Sequence, residues 1–168
     1  MKNTKKIFIG LVLMSIIGAM LFPANGQQTA SHSKVLVLKK KGNKYGFADE
    51  KGKIVIPFKY LYAEEFSDGL ALVGKKKSGY GFINEEGIEI IPCQYDQAKS
   101  FSEGLAAVFK ATEQFGNMMI GRWGFINTEG TLVIPHQYKN VKESFHNGTA
   151  IVEESLIIDK TGNEVEKK

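Results

Sequence analysis

One cysteine in 168 residues, Cys93, leaves no second thiol for an internal disulfide. Stability must come from packing. Three histidines, His32, His136 and His146, do not form the convergent series that a structural zinc site needs. Ser67, Ser102 and Ser144 have no His and Asp partners at a repeated spacing, and no GxSxG elbow occurs. No Gly-rich phosphate loop is present either. The sequence therefore assigns no catalytic, cofactor-binding or metal-ligating residue, and no cofactor is expected.

Long hydrophobic runs are equally scarce. The one such run, Ile7–Phe22, follows Lys2, Lys5 and Lys6 and ends at Pro23 before Ala24-Asn25-Gly26-Gln27. A basic head, a short apolar middle and small exit residues make the pattern of a secretory leader. Residues 1–26 are assigned to it. The run is short for a membrane span, although an uncleaved anchor and a buried helix are the alternatives. Cleavage implies an extracytoplasmic protein, whether periplasmic, cell-surface or secreted. Membrane contact is then expected only through this segment, if it stays uncleaved. Residues 27–33 read as a flexible segment after the leader.

Charge of one sign is also lacking. The formal net charge is +4, of which the leader carries three. Nucleic-acid binding usually needs a concentrated basic footprint. The only clusters are Lys39-Lys40-Lys41 and Lys75-Lys76-Lys77. Each falls where one strand turns into the next, as a solvated turn does. No nucleic-acid partner is expected.

What the chain has instead is one phrase in three copies. It reads YGFADEKGKIVIPFKY at Tyr45–Tyr60, YGFINEEGIEIIPCQY at Tyr80–Tyr95 and WGFINTEGTLVIPHQY at Trp123–Tyr138. FSDGLALV, FSEGLAAV and FHNGTAIV follow in turn. The first spacing is 35 residues and the second 43. Self-similarity at such a period marks a repeat fold.

Each copy divides into three short runs rich in Ile, Val, Tyr and Phe, as strands are. They are Lys44–Ala48, Lys53–Ile56 and Leu70–Val73 in the first copy. In the second they are Gly79–Ile83, Ile88–Ile91 and Leu105–Phe109, and in the third Arg122–Ile126, Leu132–Ile134 and Thr149–Val152. The corners opening on Asp49, Asn84 and Asn127 and closing on Gly52, Gly87 and Gly130 predict hairpins. Pro57, Pro92 and Pro135 lack the ladder amide and are expected to end the second strand. Phe66, Phe101 and Phe145 are expected to plug between layers. Gly69, Gly104 and Gly148 are expected to turn the chain into strand three. Asp68 and Glu103 suggest a carboxylate row that Asn147 interrupts, and turn chemistry explains them more simply.

Lys34–Leu38 looks like a preceding third strand, and Leu156–Val165 like a weakened hairpin. The prediction is an all-β array of short antiparallel meanders over residues 34–165, with three full copies, partial end caps and a tail at 166–168. Three copies of about three strands fit an open solenoid better than a closed propeller.

These motifs resemble those of the WG-repeat (KWG-repeat) family. Trp123-Gly124-Phe125-Ile126-Asn127 carries the namesake pair, and Phe101-Ser102-Glu103-Gly104-Leu105-Ala106 matches the second phrase. Tyr45-Gly46 and Tyr80-Gly81 depart by using Tyr, and Phe145-His146-Asn147-Gly148 is looser. The resemblance implies a bacterial β-rich repeat protein. It brings no single activity and no catalytic residues to carry over.

Two groups are candidate partner-binding residues. The recurring aromatics Tyr45, Tyr80 and Trp123 would form a ligand-stacking row if exposed and a core seam if buried. The insertion Ala111–Gly121 carries Phe115, Met118, Met119 and Ile120. It reads as a partner-binding hairpin, or as a loop folded over the repeat edge or a hairpin extending the sheet. The leading functional expectation is a non-enzymatic extracytoplasmic binding or scaffold module for a protein or cell-envelope polymer. The alternative is an enzyme with a groove near residues 111–121.

Overall fold

The computed structural model describes residues 35–166. The expected leader, the segment 27–33, Lys34 and the last two tail residues lie outside the described residues. The first sheet contains β1 (Leu36–Lys41), β2 (Lys44–Asp49) and β3 (Ile54–Tyr60). The second contains β4 (Tyr62–Ser67), β5 (Leu70–Lys75), β6 (Gly79–Ile83) and β7 (Glu89–Tyr95). The third contains β8 (Gln97–Ala98), β9 (Leu105–Phe115), β10 (Met118–Asn127) and β11 (Leu132–Tyr138). The fourth contains β12 (Val141–His146), β13 (Thr149–Val152) and β14 (Leu156–Asp159). Every pairing is antiparallel between chain neighbours. The described residues form an open, all-β repeat array.

The linker adds a strand to the three expected in each copy. Tyr62–Ser67, Gln97–Ala98 and Val141–His146 each pair with the strand that follows. Mixed polar and aromatic residues hid them, because Glu64, Glu65 and Ser67 break the apolar alternation. The sheets consequently straddle the copies. β4 and β5 come from the first copy and β6 and β7 from the second, yet they share one sheet. No copy can complete a sheet alone, which couples neighbours as in other repeat arrays.

The prolines do not end the second strand. β3, β7 and β11 run on through Pro57, Pro92 and Pro135 to Tyr60, Tyr95 and Tyr138. Each is the outermost strand of its sheet, where a missing amide leaves no ladder bond broken. Register shifts accompany each proline. This bulge explains the glycine of the aromatic-Gly pair. A Cβ on Gly81 would lie 2.5 Å from the Ile91 carbonyl oxygen and 2.6 Å from the Cys93 nitrogen. Gly46 and Gly124 face the same obstruction from Ile56–Phe58 and Ile134–His136.

Three apolar cores fill the spaces between successive sheets. Phe47, Ile56 and Tyr60 of the first sheet meet Ala63, Ala71 and Val73 of the second. Leu70, Leu72 and Phe82 meet Ala106, Val108 and Ile126 of the third. Leu105, Phe125 and Ile134 meet Ala150, Val152 and Ile158 of the fourth. Alternate residues of β5 point to opposite layers, so Leu70 and Leu72 face forward while Ala71 and Val73 face back. On β13 the forward positions are the half-buried Thr149 and Ile151, and only Ala150 and Val152 are buried.

The linker phenylalanines are the expected plugs. Phe66, Phe101 and Phe145 pack on Phe47, Phe82 and Phe125 at ring separations of 4.9, 4.7 and 5.0 Å. Such tilted aromatic pairs add about 0.5–1.5 kcal/mol each beyond burial. The hairpin corners also behave as read. Asp49 Oδ1 accepts the Lys53 amide at 2.9 Å, and Asn84 Oδ1 accepts that of Ile88 at 2.9 Å.

The second phrase forms a ladder between copies, which the turn reading did not foresee. Ser67 Oγ donates to the Phe101 carbonyl at 2.7 Å, and Ser102 Oγ to that of Phe145 at 2.6 Å. Asp68 accepts the Gly104 amide at 2.7 Å, and Glu103 that of Gly148 at 2.9 Å. His146 and Asn147 occupy the third copy's places and extend no such bond to a further copy among the described residues.

Candidate ligand-binding cleft

The aromatic row is neither exposed outright nor buried outright. Tyr45, Tyr80 and Trp123 are all half-buried. Tyr45 and Tyr80 stand second in β2 and β6 and Trp123 lies within the lengthened β10, and each pairs across the ladder with a buried tyrosine: Tyr60, Tyr95 or Tyr138. Each packs against one of the three cores while remaining half-exposed. Their packing on the cores makes them part of the seam between sheets.

Tyr80 and Trp123 come together in one concavity of about 340 Å³, with Tyr62, Gln97, Ala98 and Lys99 completing the lining. That volume lies within the range of small-ligand sites. The cleft spans the second and third sheets, so the stacking of copies creates it. Tyr62 meets Tyr80 edge-on with ring centroids 5.5 Å apart, and Phe109 backs Trp123 at 5.4 Å. Glu64 accepts hydrogen bonds from the Tyr62 and Ser100 hydroxyls. This bridge fixes Tyr62 and, with burial second, pushes its phenol pKa up to about 12. The site thus offers aromatic surfaces beside one amide side chain, Gln97, and the Lys99 side chain, whose Nζ lies 3.5 Å from the Lys142 carbonyl.

Tyr62, Gln97 and Lys99 were missed in the sequence. The slot of Tyr62 holds Gln97 in the second copy and Asn140 in the third, so repetition does not mark it. Tyr45 does not line this cleft; Lys40 lies 5.1 Å over its ring.

The insertion before Trp123 extends the sheet as a hairpin. β9 and β10 lengthen together, with Phe115 opposite Met118, Gln114 opposite Met119 and Glu113 opposite Ile120. Phe115, Met118 and Ile120 are exposed, and Met119 is half-buried on the other face. None of these four lines the cleft.

Cys93 and His136 hold the same slot in successive copies and do not meet. The thiol donates weakly to the Val73 carbonyl at 3.9 Å, and burial raises its pKa, which keeps it protonated. Burial, and then the charge of Lys110, lowers the His136 pKa, and its Nε2 is buried without a hydrogen-bond partner. Among the described residues no three His, Cys, Asp or Glu side chains converge as metal ligands. Of the lysine clusters, Lys75 is tied to Glu89.

A second concavity, about 430 Å³, lies beside β14 and is rimmed by Glu153, Glu154, Glu164 and Glu166. Leu156 there takes the place that Gly81 holds in the second copy. A proline bulge could not cross it. This site has no aromatic surface.

Stacked sheets completed by neighbouring copies, with a cleft at one of their junctions, define an all-β repeat protein. The comparison by family agrees with that class. Residues 45–77, 80–111 and 123–155 match the family described as WG containing repeat, and the chain belongs to it. No curated protein matches the chain.

Proposed function

We propose that this chain is a non-enzymatic binding module, working outside the cytoplasm after removal of residues 1–26. Its ligand is a protein segment or a cell-envelope polymer held across the cleft between the second and third sheets. The observation that carries this reading is the meeting of Tyr80 and Trp123, one aromatic from each of two copies, with Tyr62 in a single cleft. Aromatic faces give stacking area at little conformational cost, and polar neighbours set orientation. An enzyme with a groove near 111–121 is the weaker reading. The thiol and imidazole it would draw on stand apart, and the hairpin tip forms no part of the cleft.

Immobilised protein lacking residues 1–26 tests the reading, probed with envelope extracts and a glycan array. The expected result is specific capture by the wild type, weakened at least about tenfold in Tyr80→Ala/Trp123→Ala. Undiminished capture by a folded double variant would place the ligand elsewhere. Failure to capture anything would remove the binding reading.

A further inference from the structure

The tip of the β9–β10 hairpin combines two features on one face. Met118, Ile120 and Arg122 alternate along β10 and so project to the same side. Phe115 pairs with Met118 and Lys110 pairs with Arg122, which brings both onto that side. The face is apolar at the tip and cationic at the base. Phe115 and Met118 are 64% and 67% exposed, far more than packed side chains of their kind.

We propose that this tip docks on an anionic lipid surface, with Phe115, Met118 and Ile120 entering the interface and Lys110 and Arg122 meeting the headgroups. At about 3.4 Å per residue, Met118 and Arg122 lie roughly 14 Å apart along the strand. Interfacial segments bury their apolar face about 5–10 Å deep. The cations therefore stand at headgroup level when the tip is in.

Among the described residues, neither cation is held in an ion pair. Lys110 Nζ donates to the Gln94 carbonyl at 3.1 Å and Arg122 Nη1 to the Gly121 carbonyl at 2.9 Å. The ion pairs among the described residues, Lys75–Glu89 and Lys160–Glu103, involve neither. An anionic surface complements them. A protein groove would not demand cations one headgroup layer behind the tip. Glu113 shares the face opposite Ile120 and opposes docking. This inference stands apart from the cleft and does not depend on its ligand.

The test places an environment-sensitive dye on Asn117→Cys at the tip, in the full chain carrying Cys93→Ala. A control dye sits on Glu129→Cys, beyond the opposite end of β10. Vesicles of phosphatidylglycerol and phosphatidylethanolamine are compared with phosphatidylcholine alone. The expected result is a blue shift at the tip only, quenched by lipid-borne nitroxides and stronger on anionic vesicles. Phe115→Ser/Met118→Ser should weaken it at least about tenfold, and Lys110→Gln/Arg122→Gln about tenfold on anionic vesicles alone. Glu113→Gln should strengthen it.

Equal shifts at both dyes would mean general adsorption through residues 1–26 and would overturn the proposal. A tip dye that stays in water on every vesicle would do the same. Shielding of the tip by lipid-free envelope protein, without any vesicle response, would assign the face to a protein instead.

Discussion

The Asp68 carboxylate accepts the backbone N–H of Gly104 at 2.7 Å, tying one copy's turn to the same turn of the next. Glu103 repeats the contact on Gly148 at 2.9 Å. An acidic residue before the glycine thus holds neighbouring copies in register. Asp68→Ala should lower stability by about 1.5–3 kcal/mol, the net worth of a hydrogen bond to a charged group, together with the strain of alanine at the positive φ of 51° that Asp68 holds. Asp68→Asn, which keeps an acceptor, should recover most of it. Equilibrium urea unfolding of the three proteins measures both effects.

Gly124 is fixed by contact. Its Cβ position lies 2.6 Å from the Ile134 carbonyl oxygen, and the obstructing atoms are backbone. Gly124→Ala should cost about 3 kcal/mol or more, because the proline bulge would have to move. A denaturation midpoint close to wild type would mean that the bulge is softer than its geometry implies.

Acid should loosen the array. The Gly148 amide, with Lys160 among the further partners, holds the Glu103 carboxyl below its ordinary 4.5. The Thr161 hydroxyl, followed by backbone amides, does the same for Asp159 below 3.8. A depressed carboxyl stabilises above its unfolded value and loses that contribution as pH falls through the folded one. Thermal melts of Glu103→Gln/Asp159→Asn should show a shallower fall in Tm than wild type below about pH 4.5. Parallel curves would contradict the assignment.

His136 gives a second pH dependence at milder acidity. Burial, then Lys110, holds its pKa below the ordinary 6.5, so the folded state favours the neutral ring. The unfolded chain binds the proton first, and stability falls as pH drops below 6.5. His136→Phe, the residue type of Phe58 in the first copy, should remove that loss. The Tm difference between variant and wild type should widen from pH 7.5 to pH 5.5, a range chosen to bracket about 6.5.

Much of the fold was legible because the copies repeat what the backbone requires. The edges of β6 and β13 coincide with the runs Gly79–Ile83 and Thr149–Val152. Corners on Asp49, Asn84 and Asn127 follow from short side chains that bond their own backbone. The proline strands were misjudged because proline excludes ladder donation, not strand geometry, and an edge tolerates it. β4 was hidden by Glu64 and Glu65, one of which bridges Tyr62 to Ser100 while the other accepts the Leu38 amide at 3.2 Å. Those contacts cross between sheets, and local periodicity carries no trace of them.

The cleft was half legible for a related reason. Tyr80 and Trp123 recur, so repetition pointed to them. Tyr62 and Lys99 belong to the cleft through sheet stacking alone. The apolar content of Phe115, Met118 and Ile120 was plain in the sequence, while the cationic base shared by Lys110 and Arg122 needed the register of β9 against β10.

Trp123 is the chain's one tryptophan, so its emission reports the cleft directly. Titration of the protein lacking residues 1–26 with envelope fractions it captures should shift or quench that emission saturably, and Tyr80→Ala should weaken the response. Capture of a ligand with Trp123 emission unchanged throughout would contradict binding in this cleft.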